Sequence, residues 1–471
     1  MGIRILDGRF TRRGAAWFLT GVLLTACSEA GLTDPRQPAA PPPVATTAIA
    51  EVSCTANLRT RAVNCGGAPG VDAAADWIIG GQNINVRLAS TNVAYNPDTE
   101  VFGADVTVQN LRLEKFGTDG IDTTGVYVFF HQQATAVVGT GAITVRNADG
   151  VGNFTGADQP WFHYPDVIAY NATSPAKRWE WNVPATVEQF AFKVFVSTRV
   201  LPVVVFDRNE GGNTDIYRIA LDGSDLVRLT TDAAVDANPS AGPGVVVFTS
   251  SRDGNQELFR LSPFGGVETQ LTFTTGITHD APAVSSDGTR IAYARVGGAE
   301  DFFRLRVMNV NGGDTAAISG ANGTIDSNPS WKPRSDSLVF MSAGGFADGD
   351  AGLYRTSLGK TASGLVVRAG ADIDPAWSPD GRFIAFSSPR GGSDDLYLLA
   401  LATMTATRLT STPGGEYGPA WTPDGRIVFV SSVAGTRELR WLDPANPGVT
   451  YAIPGTATTA PQRLNHAVFP F

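Results

Sequence analysis

A row of polar side chains precedes recurrent prolines in the C-terminal half of the sequence. Most members are acids three residues before the proline, and two further repeats carry histidine there. The members are Asp236, His279, Asp280, Asp326, Asp372, Glu416 and, in the last repeat, Asn465 with His466. If the repeats fold alike, these groups form a ring, and like charges so close repel unless a cation or a basic partner neutralises them. The row therefore predicts a ring-shaped site for a calcium-like cation or a basic peptide.

A structural role is the alternative for the same residues. Acidic side chains at loop ends often accept hydrogen bonds from the backbone amides of their own loop. We expect this role for three other acids, each of which comes directly before a repeated apolar strand: Asp215, Glu257 and Asp395. For the row itself both explanations stay open.

Groups of the usual catalytic kinds are few. Hydrolysis by Ser, His and Asp on an α/β-hydrolase scaffold needs a Gly-x-Ser-x-Gly turn, and the sequence contains none. The four histidines, His131, His163, His279 and His466, lack the spacing of metal ligands. We therefore expect a protein that is not an enzyme and has no histidine metal centre.

The three cysteines predict an exported protein. Cys54 and Cys65 form an even pair, which is expected to close a disulfide in an oxidising compartment. Cys27 follows a basic start and a short apolar run, residues 15–26, which is too short to span a bilayer. Residues 1–26 are accordingly predicted to be a signal peptide.

The end of that run, Leu24-Thr25-Ala26-Cys27, resembles the lipobox of bacterial lipoproteins. The resemblance implies that cleavage leaves Cys27 as a lipidated N-terminus. By the sorting rule of some Gram-negative bacteria, Ser28 then favours the outer membrane. Residues 27–50 are rich in Pro and Ala and predict an extended tether. An ordinary secretory signal, with Cys27 incidental, is the open alternative.

Charge restricts the partners. The formal net charge is −9 and the calculated pI about 5.1, which argues against nucleic acid and against anionic lipid as general partners. Membrane contact is therefore expected only through the lipid on Cys27.

A repeat of 40-odd residues organises the C-terminal half. Its prolines recur every 43 to 47 residues and are followed in several repeats by an Asp-Gly turn and an alternating apolar strand. Asp-Gly suits a hairpin that needs a positive φ at its second central position. A third strand and a closing Arg-Leu-Thr or Gln-Leu-Thr complete the unit. Four short strands per unit predict the blade of a β-propeller.

Closure can also be predicted. The first unit, which begins near Leu201, lacks a proline strand, and the segment 465–471 aligns with that missing strand, with Phe469 at the position of the repeated Trp. The last strand is therefore expected to complete the first blade and to leave no free sheet edge.

Two runs carry a family resemblance: Pro-Ala-Trp-Ser-Pro-Asp-Gly-Arg at 375–382 and Pro-Ala-Trp-Thr-Pro-Asp-Gly-Arg at 419–426. They resemble the WD40-like (PD40) repeat of TolB-type propellers, which also occurs in bacterial surface lipoproteins and in prolyl-oligopeptidase-like enzymes. The resemblance implies a six-bladed propeller over residues 200–471. It says little about the ligand. The small α/β domain that precedes the propeller in TolB itself is not recognisable here.

Residues 51–199 alternate apolar and polar residues in short runs separated by Gly, Pro and Asn, which predicts an Ig-like β-sandwich. Its aromatic residues Trp179, Trp181, Phe190 and Phe192 are expected in the core rather than on a ligand platform.

The sequence thus predicts an all-β, monomeric lipoprotein of the cell envelope, most simply of the outer membrane. We expect it to bind an envelope protein or peptide through the propeller without catalysing a reaction. The alternative is a carbohydrate-active or glycan-binding surface protein that uses the mouth of the propeller channel.

Overall fold

The computed structural model describes the greater part of the chain after residue 51. The described residues are 52–66, 78–79, 82–83, 85–298, 300–313, 315–319, 324–343, 352–359, 364–367, 371–459 and 462–463. The predicted signal peptide, Cys27 and the tether lie outside them, as do His466 and the segment 465–471. Within the described residues no helix has the length and apolar character needed to cross a bilayer.

The N-terminal region is built from antiparallel strands. They are β1 (Val52–Asn57), β2 (Ala62–Gly66), β3 (Ile78–Ile79), β4 (Val86–Asn96), β5 (Val101–Asn110), β6 (Lys115–Phe116), β7 (Val126–Gly139), β8 (Thr144–Val145), β9 (Gly150–Gly152), β10 (Gln159–Tyr164), β11 (Lys177–Asn182) and β12 (Val187–Thr198). One sheet has the order β2-β1-β12-β7-β10-β9, with β3 also on β12, and a second has the order β4-β5-β11-β8.

The two sheets share one apolar core. Alternate residues of β5 and β11 from one sheet, and of β7 and β12 from the other, are buried in the same cluster. Trp179, Trp181, Phe190 and Phe192 are all buried there, as predicted. We call this region the sandwich. The predicted disulfide between Cys54 and Cys65 joins directly paired residues of β1 and β2.

A short sheet leads from the sandwich to the repeats. Strand β13 (Val200–Leu201) pairs with β6, with Val200 opposite Phe116 and Leu201 opposite Lys115. The sandwich and the repeats belong to one compact unit.

The repeats form six four-stranded antiparallel sheets among the described residues, here called blades 1 to 6. Blade 1 contains β14 (Val203–Glu210), β15 (Asn213–Ala220), β16 (Val227–Arg228) and β37 (Gln462–Arg463). Blade 2 contains β17 (Asp236–Gly242), β18 (Val245–Ser250), β19 (Glu257–Leu261) and β20 (Thr269–Gln270); blade 3 contains β21 (Ile277–Val284), β22 (Arg290–Gly297), β23 (Glu300–Asn309) and β24 (Ala316–Ala317).

Blade 4 contains β25 (Ile325–Trp331), β26 (Ser337–Ala343), β27 (Gly352–Ser357) and β28 (Gly364–Val367). Blade 5 contains β29 (Ile373–Trp377), β30 (Phe383–Ser388), a 3₁₀ turn (Pro389–Gly391), β31 (Asp395–Ala400) and β32 (Thr405–Arg408); blade 6 contains β33 (Gly415–Trp421), β34 (Ile427–Val433), β35 (Thr436–Leu442) and β36 (Thr450–Ala452).

The repeated motifs have identifiable local roles. The glycines of the Asp-Gly turns have positive φ, at 69° for Gly288, 67° for Gly381 and 87° for Gly425, as the hairpin prediction requires. In the closing motif the Thr hydroxyl accepts a hydrogen bond from an amide of the third strand. Thr230 Oγ1 and Thr410 Oγ1, for example, accept from the third-strand amides of their blades at 3.0 and 2.9 Å.

Aromatic rings at the repeated Trp position join neighbouring blades. Trp331 Nε1 donates to the Ala283 carbonyl of blade 3 at 3.0 Å, and Trp421 Nε1 to the Ala376 carbonyl of blade 5 at 3.1 Å. Trp377 packs into the apolar cluster that contains Val339 of blade 4. Each large ring therefore fills the space between two twisted sheets.

The strand of blade 1 that takes the place of a first strand, β37, comes from the C-terminal part of the chain. Gln462 pairs with Arg208 and Arg463 with Asp207 on β14. By this register Gln462 takes the place that Asp236 takes opposite Ser250 in blade 2. The sequence alignment placed Asn465 and His466 at this position, and both residues lie outside the described part of the chain.

Candidate functional site

Four acids of the predicted row lie at equivalent positions of blades 2, 4, 5 and 6, within the first strand or directly before it: Asp236, Asp326, Asp372 and Glu416. Two of them face an arginine of their own blade. Arg252 Nη2 donates to both carboxylate oxygens of Asp236, at 3.0 and 3.2 Å, and Arg390 donates to Asp372. Both carboxylates are fully buried. Each charge is therefore neutralised beside the strand that carries it.

Asp326 and Glu416 are held by hydroxyl groups instead. Ser342 Oγ donates to Asp326 Oδ1 at 2.7 Å, with the guanidinium of Arg304 3.9 Å away. Thr412 donates to Glu416, which is fully buried. Burial raises the pKa of the Glu416 carboxyl above its ordinary value.

Blade 3 replaces the acid with a histidine. His279 Nδ1 lies 3.1 Å from Oε2 of Glu257 in blade 2, an ion-pair distance without the alignment of a hydrogen bond. The His279 ring also contacts Tyr293, with 5.6 Å between the ring centres. Burial lowers the pKa of His279, against the opposing effect of the Glu257 charge. The neutral imidazole is therefore favoured in the folded protein.

The acids that open third strands prove to be partners of the closing motif. Arg228 Nη2 donates to Asp215 at 2.5 Å, and Arg408 Nη2 to Asp395 at 2.6 Å. The prediction of turn-amide capping was wrong for these two. Glu257 does accept from a backbone amide, that of Thr274 at 2.7 Å, but Thr274 lies in the loop after β20 and not in the loop before the Glu257 strand.

The described residues of the predicted ring therefore lie at equivalent positions in their blades but do not form one site. Asp236 and Asp372 are paired with arginines of their own blades, whereas Asp280 accepts from Asn238 of the neighbouring blade. Among the described residues no three His, Cys, Asp or Glu side chains come close enough to hold a metal ion. Arginines and hydroxyl groups compensate the buried charges, so their repulsion does not require a cation, and binding of a cation or a basic peptide at this row stays a prediction. His466 lies outside the described residues.

Sequence reasoning missed the position directly before each proline, which is two residues after the acid, or in blade 3 the histidine, of the row. Its residues all have positive φ and interrupt the pairing with a β-bulge: Asn238 (51°), Ala281 (47°), Asn328 (51°), Asp374 (50°) and Gly418 (61°). Asn, Asp and Gly tolerate this conformation, and the following proline disfavours the right-handed helical one. The recurrence of Asn, Asp and Gly before the proline was the signal.

These bulges make polar bridges between blades. The side chain of Asn238 donates from Nδ2 to Asp280 Oδ1 at 2.5 Å. The backbone amide of Asn238 donates to the Asp207 carboxylate of blade 1 at 3.0 Å. Asn328 of blade 4 donates to Asp374 of blade 5. Asp280, one of the predicted row, thus belongs to the bridges rather than to the buried acids. Since the first strands of successive blades are neighbours, these bridges lie along the row of first strands.

The remaining histidines are engaged in the sandwich. His131 Nδ1 lies 2.8 Å from Thr155 Oγ1, and His163 Nε2 lies 2.9 Å from the Thr124 carbonyl oxygen. Among the described residues neither histidine belongs to a group of three His, Cys, Asp or Glu side chains that could hold a metal ion.

One end of the blades carries exposed apolar side chains. At this end each first and third strand begins, and each second and fourth strand ends. Large exposed residues lie here in blades 2, 3, 4 and 6: Val235, Phe273, Phe302, Ile325 and Val433. Phe273 is 75% exposed. We call this the open end, because the described contacts of the sandwich with the blades lie at the opposite end, on the turns of Asp222–Asp225 and Arg426.

Comparison with known proteins agrees with this architecture. A family model of the TolB β-propeller domain matches residues 202–358 and 345–449. The chain belongs to the TolB β-propeller family. The TolB homolog of Chlorobium luteolum is 31% identical over 181 residues, which are 38% of this chain and 38% of that protein. The Tol-Pal system protein TolB of Gluconobacter oxydans is 29% identical over 126 residues, covering 26% and 27% of the two chains.

The chain therefore spans well under half the length of these TolB relatives. Among solved structures, TolB from Acinetobacter baumannii has a TM-score of 0.47 and 16% identity, covering 56% of this chain and 65% of that one. A putative TolB from Agrobacterium tumefaciens has a TM-score of 0.44 and 18% identity, covering 54% and 88%.

Proposed function

We propose that this TolB-family protein is a non-enzymatic lipoprotein of the cell envelope that binds a protein or peptide through the open end of its propeller. Lipid on Cys27 would anchor it, most simply in the outer membrane, and residues 27–50 would tether the folded part. The propeller would be a closed ring of six blades. It would supply a rigid frame, and the loops at its open end would supply the contact surface.

The observation that carries this proposal is the row of exposed apolar residues at the open end. Val235 and Phe273 flank blade 2, Phe302 lies in blade 3 and Ile325 begins blade 4, so they follow neighbouring blades. Exposed apolar side chains that recur on neighbouring blades, at the end away from the sandwich contacts, favour a protein interaction site there.

Charge at the same end favours one kind of partner. Asp253, Asp301 and Asp394 are exposed there, whereas Arg252 and Arg390 are occupied by buried carboxylates. An acidic and apolar surface attracts a partner that presents basic and apolar side chains. The net charge of −9 acts in the same direction.

Ring closure is supported by packing between the last and first blades. Val428 and Trp441 of blade 6 share an apolar cluster with Val204 and Phe206 of blade 1. Arg208 Nη1 also donates to the Gly455 carbonyl at 3.2 Å. A closed ring would hold the open-end loops at fixed separations, as recognition by several loops requires.

The experiment is quantitative affinity capture from detergent-solubilised envelopes, with the parent, Phe273→Ser and Val267→Ser. Val267 is the matched control, because it is 87% exposed but lies in the third-to-fourth-strand loop of blade 2, at the other end. We expect proteins enriched by the parent to be lost with Phe273→Ser and kept with Val267→Ser. Equal capture by both variants would exclude the open end as the binding surface.

Glycan binding is the competing outcome. The same three proteins would be applied to a glycan array. Glycan signals that Phe273→Ser abolishes, without any protein lost in the capture experiment, would replace the proposed function with the carbohydrate-binding alternative.

A further inference from the structure

At the seam between blade 6 and blade 1, strands from the two ends of the repeat region pack together. An apolar cluster joins the described residues of β34 and β35 to those of β14 and β15. The chain itself crosses the seam between β36 and β37, and Gln462 and Arg463 of β37 pair with β14. Side-chain contacts across the seam therefore act together with this short pairing.

The sandwich reaches blade 6 through a buried arginine. Arg426, in the Asp-Gly-Arg turn between β33 and β34, donates from Nη1 to the backbone carbonyl of Asp119 at 2.8 Å. Its guanidinium also lies 4.7 Å from the centre of the Trp441 ring. The Asp119 loop is itself fixed, because Arg199 donates to the Asp119 carboxylate and the amide of Asp122 donates to it at 2.8 Å.

The same part of the sandwich reaches blade 1. Lys115 Nζ donates to Ser224 Oγ at 2.7 Å and lies 3.2 Å from a carboxylate oxygen of Asp225. Asp222 lies 3.9 Å away on the same turn, between β15 and β16. Leu113, two residues before Lys115, packs against the apolar cluster of the seam.

We propose that the sandwich acts as a clasp across the seam of the propeller, through its segment 113–122. One end of this segment holds blade 1 through Lys115, and the other holds blade 6 through the carbonyl of Asp119. Pairing of β6 with β13 fixes the segment to the chain that enters blade 1. The clasp would restrain separation of the two blades whatever partner the open end binds.

Blade 5 offers a matched comparison for Arg426. Arg382 occupies the same place in the Asp-Gly-Arg turn of that blade, and its side chain pairs with Asp380 of its own turn. The Arg382 side chain is 76% exposed, whereas that of Arg426 is 9% exposed. Arg426 likewise pairs with Asp424 of its own turn, so the local contact is common to both blades and the contact with the sandwich is what distinguishes Arg426.

Hydrogen–deuterium exchange of the full chain tests the clasp. We expect Arg426→Ala to accelerate amide exchange at least about tenfold in β14–β16 and β33–β36, because a buried hydrogen bond from a charged group is lost. Exchange in β21–β28, on the far side of the ring, should stay at the parent rate. Arg382→Ala should leave all of these strands unchanged.

A second variant, Lys115→Met, keeps the apolar stem and removes only the cation, so it tests the blade 1 contact even if Arg426→Ala fails to fold. It should accelerate exchange at the seam strands and leave β21–β28 unchanged. Parent rates at the seam in both variants would overturn the clasp. Equal acceleration in all six blades would also overturn it, because it would mean general destabilisation.

Discussion

At the scale of single residues, the repeated acids contribute to the scaffold. Asp236 and Asp372 are buried against arginines, while Asp326 and Glu416 receive hydroxyl hydrogen bonds. A buried carboxylate without such partners would cost several kcal/mol, so each partner is needed for folding. Acids repeated at one position of a propeller therefore do not by themselves indicate a cation site.

His279 should make stability depend on pH. In the folded protein burial lowers the pKa of His279 below its ordinary value, an effect that Glu257 opposes and that Arg295 and Arg306 assist. The unfolded chain thus binds a proton at higher pH than the folded one, and stability present above pH 6.5 is lost as the pH falls. We expect His279→Gln to reduce the fall in melting temperature between about pH 7.5 and pH 5.5.

The control for this measurement is His131→Gln, which replaces an exposed histidine of the sandwich. Burial raises the pKa of Asp215 and Glu416, and their contributions run the other way, falling as the pH rises through the raised values. The difference between parent and variant removes these common contributions. A His279→Gln profile parallel to that of the parent would contradict the assignment.

Cys27→Ser tests the proposed anchor. The variant should lose incorporation of a clickable fatty acid and move from the membrane fraction to the soluble fraction, because no other lipid attachment is proposed. The double variant Cys54→Ser, Cys65→Ser is the control and should keep its lipid label. Labelling of Cys27→Ser at the parent level would show that the lipobox resemblance is misleading.

At the scale of elements, neighbouring blades are joined by the packing of a tryptophan ring and by a hydrogen bond from its Nε1. Trp331 makes both contacts, whereas Trp377 packs between blades although its Nε1 has no hydrogen-bond partner in the described part of the chain. Trp331→Phe should therefore lower the free energy of unfolding by about 1 kcal/mol more than Trp377→Phe. Urea denaturation followed by circular dichroism measures the difference; equal losses would mean that the hydrogen bond to Ala283 contributes nothing.

Local motifs were predictable because their partners lie within a few residues. Asp-Gly turns and the repeated Trp depend on backbone conformation and on a fixed place in a repeated strand. The partners of Asp236 and Asp372 were not predictable, since Arg252 and Arg390 follow them by 16 and 18 residues, beyond a turn of different sequence in each blade. Their meeting depends on strand register, which the bulges before the prolines shift.

At the scale of the whole molecule, the architecture combines a sandwich and six blades in one unit. The contact between the sandwich and blade 6 could not be predicted from the sequence, because Asp119 and Arg426 are 307 residues apart. Arg426 belongs to a repeated motif, but Asp119 stands in no recognised motif. The proposal of a clasp therefore rests on the structure alone, whereas the family resemblance was already visible in the repeat.

Removal of residues 465–471 tests closure of the ring. We expect the truncated chain to melt at least about 5 °C lower than the parent, because the proposed closing strand of blade 1 would be shortened. Replacement of the same residues by a Gly/Ser segment of equal length is the companion variant and should melt like the truncated chain. Melting of both at the parent temperature would mean that this segment takes no part in closure.

The most direct test of binding through the open end is site-specific photo-crosslinking in cells. A photoreactive amino acid would replace Phe273, and separately Val267 at the other end of the same blade. We predict a discrete protein adduct from position 273 and none from position 267. Adducts of equal yield from both positions, or adducts from position 267 alone, would contradict the proposed function.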